Sequence, residues 1–273
     1  MINTIKYYYN IITENIKQIG KDYYFDDYVL KYDYREIDIE LYNMLILNNY
    51  KIDQIIYNKD NSYITFINNE PYILFKRREK EYITFDLINS FNIRINAPQS
   101  RNWAKLWEYK IDNYEKNIDN VNDEIIKNSF NYFVGIAENA ISLFKMLELN
   151  EDIYISHIRL NNDDEFYNLL NLTLDYKERD IAGYIKKEFF LNNSLYYEYI
   201  EKYIYYSNYN KCMLLFIRLM YPTQYFDSYD NYMKNESIDY SFYYKLNEYE
   251  IFLKKIYKLL KNKYQIPKIN WLD

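Results

Sequence analysis

Glycine, histidine, cysteine and proline are scarce in this 273-residue chain, which has 3 Gly, 1 His, 1 Cys and 4 Pro. One cysteine excludes an internal disulfide and suits a reducing compartment. Cys212 is followed by the apolar run Met213-Leu214-Leu215-Phe216-Ile217 and reads as a small buried hydrophobe. With a single histidine, His157, and a single cysteine, a zinc site is not expected. No apolar run approaches the roughly 20 residues of a membrane span. The opening Met1-Ile2-Asn3-Thr4-Ile5-Lys6 has no basic stretch followed by an apolar core, so no secretory leader is expected. Positive charge is also short: the net charge is -6 and the pI about 5.1. The densest basic run, Lys76-Arg77-Arg78, is followed at once by Glu79 and Glu81. It reads as a solvated strand end, not as the clustered basic footprint of a nucleic-acid binder. The expectation is a soluble, cytoplasmic protein with neither a nucleic-acid nor a membrane partner.

What is abundant is tyrosine, 38 residues, within a 49% hydrophobic and 27% charged composition that is ordinary for a globular chain of one large or two modest domains. Tyr, Asn, Ile and Lys dominate throughout, as in a gene drifted toward A and T. Many tyrosines then stand where Phe or Leu would pack, with the hydroxyl reaching the surface. The alternative is a tyrosine-rich recognition surface.

The hydrophobic period changes along the chain. Tyr28-Val29-Leu30-Lys31-Tyr32 is rich in β-formers, and Ile55-Ile56-Tyr57, Tyr63-Ile64-Thr65-Phe66-Ile67 and Tyr72-Ile73-Leu74-Phe75-Lys76 are separated by the turn clusters Asn58–Asn61 and Asn68–Pro71, which predicts a meander. One helix interrupts it, on Ile37, Leu41, Met44 and Leu45. Beyond Pro98 the spacing is helical: Trp103, Trp107, Ile111, Tyr114 and Ile118 form one stripe, and Phe130, Phe133, Val134, Ala137, Ile141 and Phe144 another. Asp180 is expected to cap a helix through Ile181, Ala182, Ile185 and Phe189. Further helices are predicted at about 195–220 and 247–264, the last carrying Ile251, Phe252, Ile256, Leu259 and Leu260. No internal repeat or Gly/Ser linker is present.

This order of elements and its local motifs resemble the protein-kinase-like phosphotransferases of the aminoglycoside and choline kinase type, and most of all the spore-coat CotS-like proteins. Tyr28-Val29-Leu30-Lys31 looks like the third strand of the small lobe, whose lysine steadies nucleotide phosphates. Glu40 matches the acid that pairs with it, with Glu36 as a competitor. Tyr72-Ile73-Leu74-Phe75 resembles the strand that leads into the hinge. Asn102-Trp103-Ala104-Lys105-Leu106-Trp107 resembles the helix that opens the large lobe, and Arg218-Leu219-Met220-Tyr221-Pro222-Thr223 with Tyr225-Phe226-Asp227 resembles a late segment. Ile153 to Arg159 sits where these kinases carry a His-Gly-Asp catalytic loop, Leu172-Thr173-Leu174-Asp175-Tyr176 where they carry the metal-binding aspartate, and Arg179-Asp180-Ile181-Ala182 at their Arg-Asp-Leu-Ala-like helix start. The resemblance implies an α+β, two-lobed kinase-like fold: a small antiparallel-sheet N-lobe over 1–76, a hinge and linker over 77–100, and a larger, mainly helical C-lobe over 101–273. It also implies ATP and Mg2+ as cofactors, with Lys31 and Glu40 on the nucleotide and Asp175 with Asp164 on the metal.

The departures bear on function. Phosphoryl transfer needs held phosphates, a metal to screen developing charge and a carboxylate to orient the acceptor hydroxyl. At the carboxylate position stands Arg159, whose guanidinium stays protonated and cannot act as a general base near neutral pH. The second metal ligand, an asparagine in the family, aligns with Asp164 within the run Asn161-Asn162-Asp163-Asp164, which leaves the register open. The Gly-rich phosphate loop is missing, because Gly20 is the only glycine before Gly135. Arg159 is placed either to pair with Asp175 or Asp180 as a structural clasp, or to grip a phosphate. His157 reads as internal scaffold of the loop, and Lys31 equally as a phosphate ligand or an exposed strand lysine. The expected function is a degenerate, pseudokinase-type protein with a structural or binding role tied to a spore coat and a protein partner. One alternative is a divergent ATP-dependent phosphotransferase acting on a small-molecule acceptor. The other is an unrelated α+β protein.

Overall fold

Where glycine is scarce, tight turns need another residue that tolerates a left-handed backbone, and asparagine and aspartate tolerate it best. The computed structural model, which describes residues 1–33, 35–79, 81–91, 93–95, 102–194 and 196–273, shows this substitution repeatedly in the N-terminal unit, with Gly20 serving only the β1–β2 turn. Asn10, Asp26, Asn49, Asn61, Asn68 and Asn69 all have positive φ. Asn68 and Asn69, at 51° and 66°, form a two-residue hairpin of the kind that matches strand twist.

The elements, in chain order, are α1 Ile2–Tyr9, β1 Lys17–Ile19, β2 Asp22–Phe25, β3 Tyr28–Tyr32, α2 Ile39–Leu47, β4 Gln54–Ile56, β5 Ile64–Ile67, β6 Glu70–Lys76, α3 Phe85–Ser90, β7 Arg94–Ile95, α4 Trp103–Asn117, α5 Glu124–Lys145, β8 Ile153–His157, α6 Asp163–Tyr167, β9 Leu172–Asp175, α7 Glu178–Phe190, α8 Tyr196–Tyr206, α9 Tyr209–Met220, α10 Thr223–Met233, α11 Ser241–Tyr244 and α12 Leu246–Lys263. Single 3-10 turns at Ile118–Asn120 and Leu169–Asn171 complete the set. Side-chain caps start several helices: Asp38, Asn102, Asp123 and Asn208 each accept a backbone N–H three residues on, which satisfies a donor the helix leaves open. None of the described helices is long and apolar enough to cross a membrane.

The chain forms two compact units. The first comprises Met1–Ile83 and Asn162–Leu172. Its sheet runs β1-β2-β3-β6-β4, with β5 also paired to β6, and the pairings are antiparallel. Strand β6 is central, bonded to three neighbours, and Ile73, Leu74 and Phe75 are buried accordingly. Ile5, Phe25, Leu30, Tyr72 and Leu74 form the core on one face of the sheet. The expected strands are present, and the structure adds the β1–β2 hairpin, whose Lys17–Ile19 strand is exposed throughout and so has no burial pattern to betray it. The return of residues 162–172 to this unit is also not visible in local sequence. It is held by backbone hydrogen bonds such as Asp53 N–H to the Tyr167 carbonyl, 2.9 Å, and by the Arg35 guanidinium on the Leu170 carbonyl, 2.8 Å.

The second unit, Thr84–Asn161 with Thr173–Asp273, is mainly helical. Helix α9 packs against α5, α7 and α12 and is buried on all sides from Cys212 to Met220, as a helix apolar all round must be. The single predicted helix over 195–220 is two helices, α8 and α9, separated where Asn208 caps the second. Leu195, at the expected start, lies outside the described residues, as do Lys80, Asn92 and 96–100 of the expected linker. Ile251 was expected on the packed face of α12 but is 55% exposed; Phe252, Leu253, Ile256, Tyr257 and Leu260 make that face. The three-stranded sheet β7-β8-β9 carries the ends of β8 and β9 to the start of α7.

Candidate functional site

Strands β8 and β9 are neighbours, and each ends on a residue singled out by sequence: β8 on His157 and β9 on Asp175. Helix α7 begins three residues after Asp175 and presents Arg179 and Asp180 from its first turn. All four side chains are buried, and buried charges must find partners.

Asp175 is fully buried and uses both oxygens. Its Oδ2 accepts from Arg179 Nη1 at 2.5 Å, and its Oδ1 accepts from Trp103 Nε1 and from its neighbour Tyr176's backbone N–H, both at 2.8 Å. Arg179 reaches across to the other strand end, donating from Nε to the His157 carbonyl at 2.7 Å and from Nη2 to the Ile158 carbonyl at 3.0 Å. Burial lowers the Arg179 pKa, and the adjacent Asp175 carboxylate opposes that shift. Asp180 does not cap α7, as expected from sequence, because the helix starts earlier, at Glu178, with no side-chain cap. Asp180 Oδ1 instead accepts the His157 backbone N–H, and Oδ2 bonds His157 Nδ1, both at 2.7 Å. His157, under the Phe91 ring at 5.1 Å, is part of the loop's frame.

Arg159 pairs with neither Asp175 nor Asp180. Its Nε donates to Asp227 Oδ2 at 2.7 Å, its Nη2 to Asp227 Oδ1, and its Nη1 to the Ile158 carbonyl at 3.0 Å. The partner comes from α10, and the pair is about one-quarter exposed, at 26% and 24%. The bidentate geometry is the strong form of an arginine–carboxylate contact. The segment His157–Arg159 is therefore held from three sides, by Asp180, Arg179 and Asp227.

This donor set does not fit a divalent cation. Mg2+ wants carboxylate oxygens and water in octahedral array, whereas both Asp175 oxygens already face N–H donors, one of them cationic. Among the described residues no group of three or more His, Cys, Asp or Glu is placed to hold a metal. Asp164, the other residue assigned to metal, is exposed in the short helix α6 and belongs to the first unit.

Lys31 and Glu40 also belong to the first unit. Lys31 lies opposite Ile73 in the β3–β6 pair. Burial raises the pKa of Asp22 on the neighbouring hairpin, and the Lys31 charge works against that rise. Glu40 and Glu36 are exposed, and neither forms a hydrogen bond or ion pair among the described residues. A Lys31–Glu40 pair is not formed.

The site also contains residues to which sequence reasoning gave no role. Beside Ile158 and Arg159 opens a cleft of about 250 Å3, lined by Trp107 and Lys110 of α4, Arg218 of α9 and the following Tyr221. Trp107 and Tyr221 stack at 4.0 Å. Lys110 Nζ lies 4.0 Å from Asp230, whose Oδ1 accepts the Tyr114 hydroxyl at 2.9 Å. Burial lowers the Lys110 pKa, and Arg159 adds to the effect. The available signal was Arg218 itself, a charge inside a run of nine residues that is otherwise apolar.

The family described as "Spore coat putative kinase YutH" matches residues 3–256. Nothing among curated protein sequences matches. Among solved structures, an aminoglycoside phosphotransferase from Alicyclobacillus acidocaldarius is 8% identical over 92% of this chain and 93% of its own, with a TM-score of 0.58. A spectinomycin phosphotransferase in complex with AMP is 13% identical over 97% and 98%, with a TM-score of 0.52. The same enzyme with ADP and spectinomycin is 14% identical over 97% and 94%, with a TM-score of 0.51. The fold is thus the kinase-like α+β fold of the aminoglycoside phosphotransferases, and the reading as an unrelated α+β protein is overturned. From its sequence, this chain belongs to the spore coat kinase-like family YutH.

Proposed function

We propose that this protein is a kinase-fold component of the spore coat that serves a structural or binding role, with the former catalytic loop turned into a clasp. The observation that carries this reading is Arg159. It stands where the resemblance places the catalytic carboxylate, and its guanidinium is engaged by Asp227. A cation held there attracts no proton from an acceptor hydroxyl. Asp175, with both oxygens bonded to Arg179, Trp103 and the backbone, supports the same conclusion, since its charge is already balanced by a guanidinium. The protein acts in the cytoplasm before or during coat assembly, and its partner is another protein of that assembly.

A second reading, a divergent phosphotransferase, draws on two observations. Lys31 is present on β3, and the solved structures of the same fold include complexes with AMP and ADP. Thermal-shift titration with ATP, with and without Mg2+, separates the two, run alongside an assay for phosphate release. The expected result is no metal-dependent stabilisation and no turnover above buffer. Nucleotide binding that needs no metal fits the clasp. A metal-dependent gain of roughly 2.7 kcal/mol at 100 times the dissociation constant, lost in Asp175→Asn, with phosphate release, would overturn the proposal in favour of the enzyme.

A further inference from the structure

The cleft beside the clasp has an unbalanced charge. Four cations line it (Lys110, Arg159, Arg179 and Arg218) against one acid, Asp227. Three of the four have carboxylate partners: Arg159 has Asp227, Arg179 has Asp175, and Lys110 lies at the limit of ion-pair distance from Asp230. Arg218 has none. Its side chain is more than nine-tenths buried, at 8% exposure, and among the described residues it makes no hydrogen bond or ion pair. Its guanidinium is held by the rings of Trp103 and Trp107, at 5.3 and 5.5 Å from their centroids. Cation–π contact engages the face of the group and leaves the N–H donors at its edge without a protein partner among the described residues, open to the cleft.

A second donor beside it is buried and unsatisfied. The Tyr221 hydroxyl has no hydrogen-bond partner among the described residues, and it sits among the charges of Arg218, Arg159, Asp227 and Asp230. Burial pushes the Arg218 pKa down to about 9, and the Arg179 charge pushes in the same direction. Lys186, whose Nζ donates to the Tyr221 carbonyl at 2.6 Å, is likewise driven well below its ordinary value, by burial first and then by Arg218. Positive charge crowded into a buried cleft with idle donors is what a bound anion would relieve.

We propose that this cleft binds the phosphate group of a small phosphorylated molecule, with Arg218 as the principal ligand and Tyr221 and Lys110 as further donors. The guanidinium fork matches two phosphate oxygens. A hydroxyl and an ammonium beside it suit a phosphate dianion, whose three terminal oxygens point in different directions, better than a planar, singly charged carboxylate. The cleft is larger than a lone phosphate requires and is walled by Leu106, Trp107 and Phe226, leaving room for a short carbon skeleton. The assignment stands on the cleft itself and holds whether or not nucleotide binds elsewhere.

The test is titration of the full chain with inorganic phosphate and with glycerol phosphate, read by tryptophan fluorescence, with glycerol as the neutral control at constant ionic strength. Wild type should show saturable change with both phosphates and none with glycerol. Arg218→Met should weaken binding about tenfold or more, and Tyr221→Phe by a few-fold. Unliganded Arg218→Met should melt no lower than wild type, because it removes a buried charge without an ion-pair partner and keeps an apolar stem against the tryptophans. Absence of saturable phosphate binding in wild type overturns the proposal. So does a Tyr221→Phe variant that binds as wild type while Arg218→Met fails to fold, since Arg218 would then be only a structural part of the tryptophan stack.

Discussion

Replacing Asp175 with asparagine tests the clasp most directly. In a working phosphotransferase this aspartate holds metal, and the amide costs activity but little stability. Here the carboxylate is fully buried and balances Arg179, which is itself 8% exposed. Asparagine removes the charge and can turn an NH2 toward the guanidinium, so Arg179 keeps only its bonds to the His157 and Ile158 carbonyls. Breaking one partner of a buried ion pair costs about 3 to 5 kcal/mol. At roughly 2 to 4 °C per kcal/mol for a protein of this size, that is a fall in Tm of about 6 to 20 °C. Trp103, Trp107 and Trp271 all lie in the helical unit, so urea unfolding followed by tryptophan fluorescence reports that unit. Asp175→Asn combined with Arg179→Met should cost clearly less than the sum of the single changes, because the second removes the orphaned cation. An Asp175→Asn protein within about 1 kcal/mol of wild type that has lost a metal-dependent nucleotide shift would refute the clasp.

Two other outcomes follow from the same physics. Arg159→Met and Asp227→Asn break a pair about one-quarter exposed to solvent, so each should cost only about 1 to 2 kcal/mol, and the double variant about as much as either single one; a loss as large as that of Asp175→Asn would show that the outer contact, not the inner one, holds the loop. Glu178 is buried, which raises its carboxyl above the ordinary value of 4.5, while the Tyr203 hydroxyl that bonds it pulls the other way. The folded state then keeps the proton longer than the unfolded state, so this group's contribution declines as pH rises from about 4.5 through the folded pKa. Glu178→Gln, which still accepts from Tyr203, should be more stable than wild type at pH 7, with the difference vanishing below pH 4.5; parallel pH–stability curves would contradict this.

On the proposed reading, the loop keeps its shape whatever residue stands at 159. The frame of the loop, His157 with Asp180 and Arg179 with the two carbonyls, does not involve Arg159. A residue outside the frame is free to change as long as its charge finds a partner, and Asp227 on α10 supplies one.

Much of this was legible in the amino-acid sequence because it depends on neighbours in the chain. Runs of β-formers between turn clusters marked the strands from Tyr28 to Lys76, and apolar spacing of three and four residues marked the helices carrying Trp103 and Phe130. Local side-chain chemistry marked the turns at Asn58–Asn61 and Asn68–Pro71, but not the caps, since the one expected at Asp180 is not formed. The order of motifs was enough to place the fold. Pairing across long separations was not legible. Arg159 meets Asp227 and Asp175 meets Trp103, 68 and 72 residues away in sequence, and residues 162–172 rejoin the first unit. Several carboxylates were equally plausible partners from composition alone. Only packing, by fixing which helix faces which strand end, selects among them, and the same packing leaves Arg218 buried against two tryptophans without an ion-pair partner among the described residues.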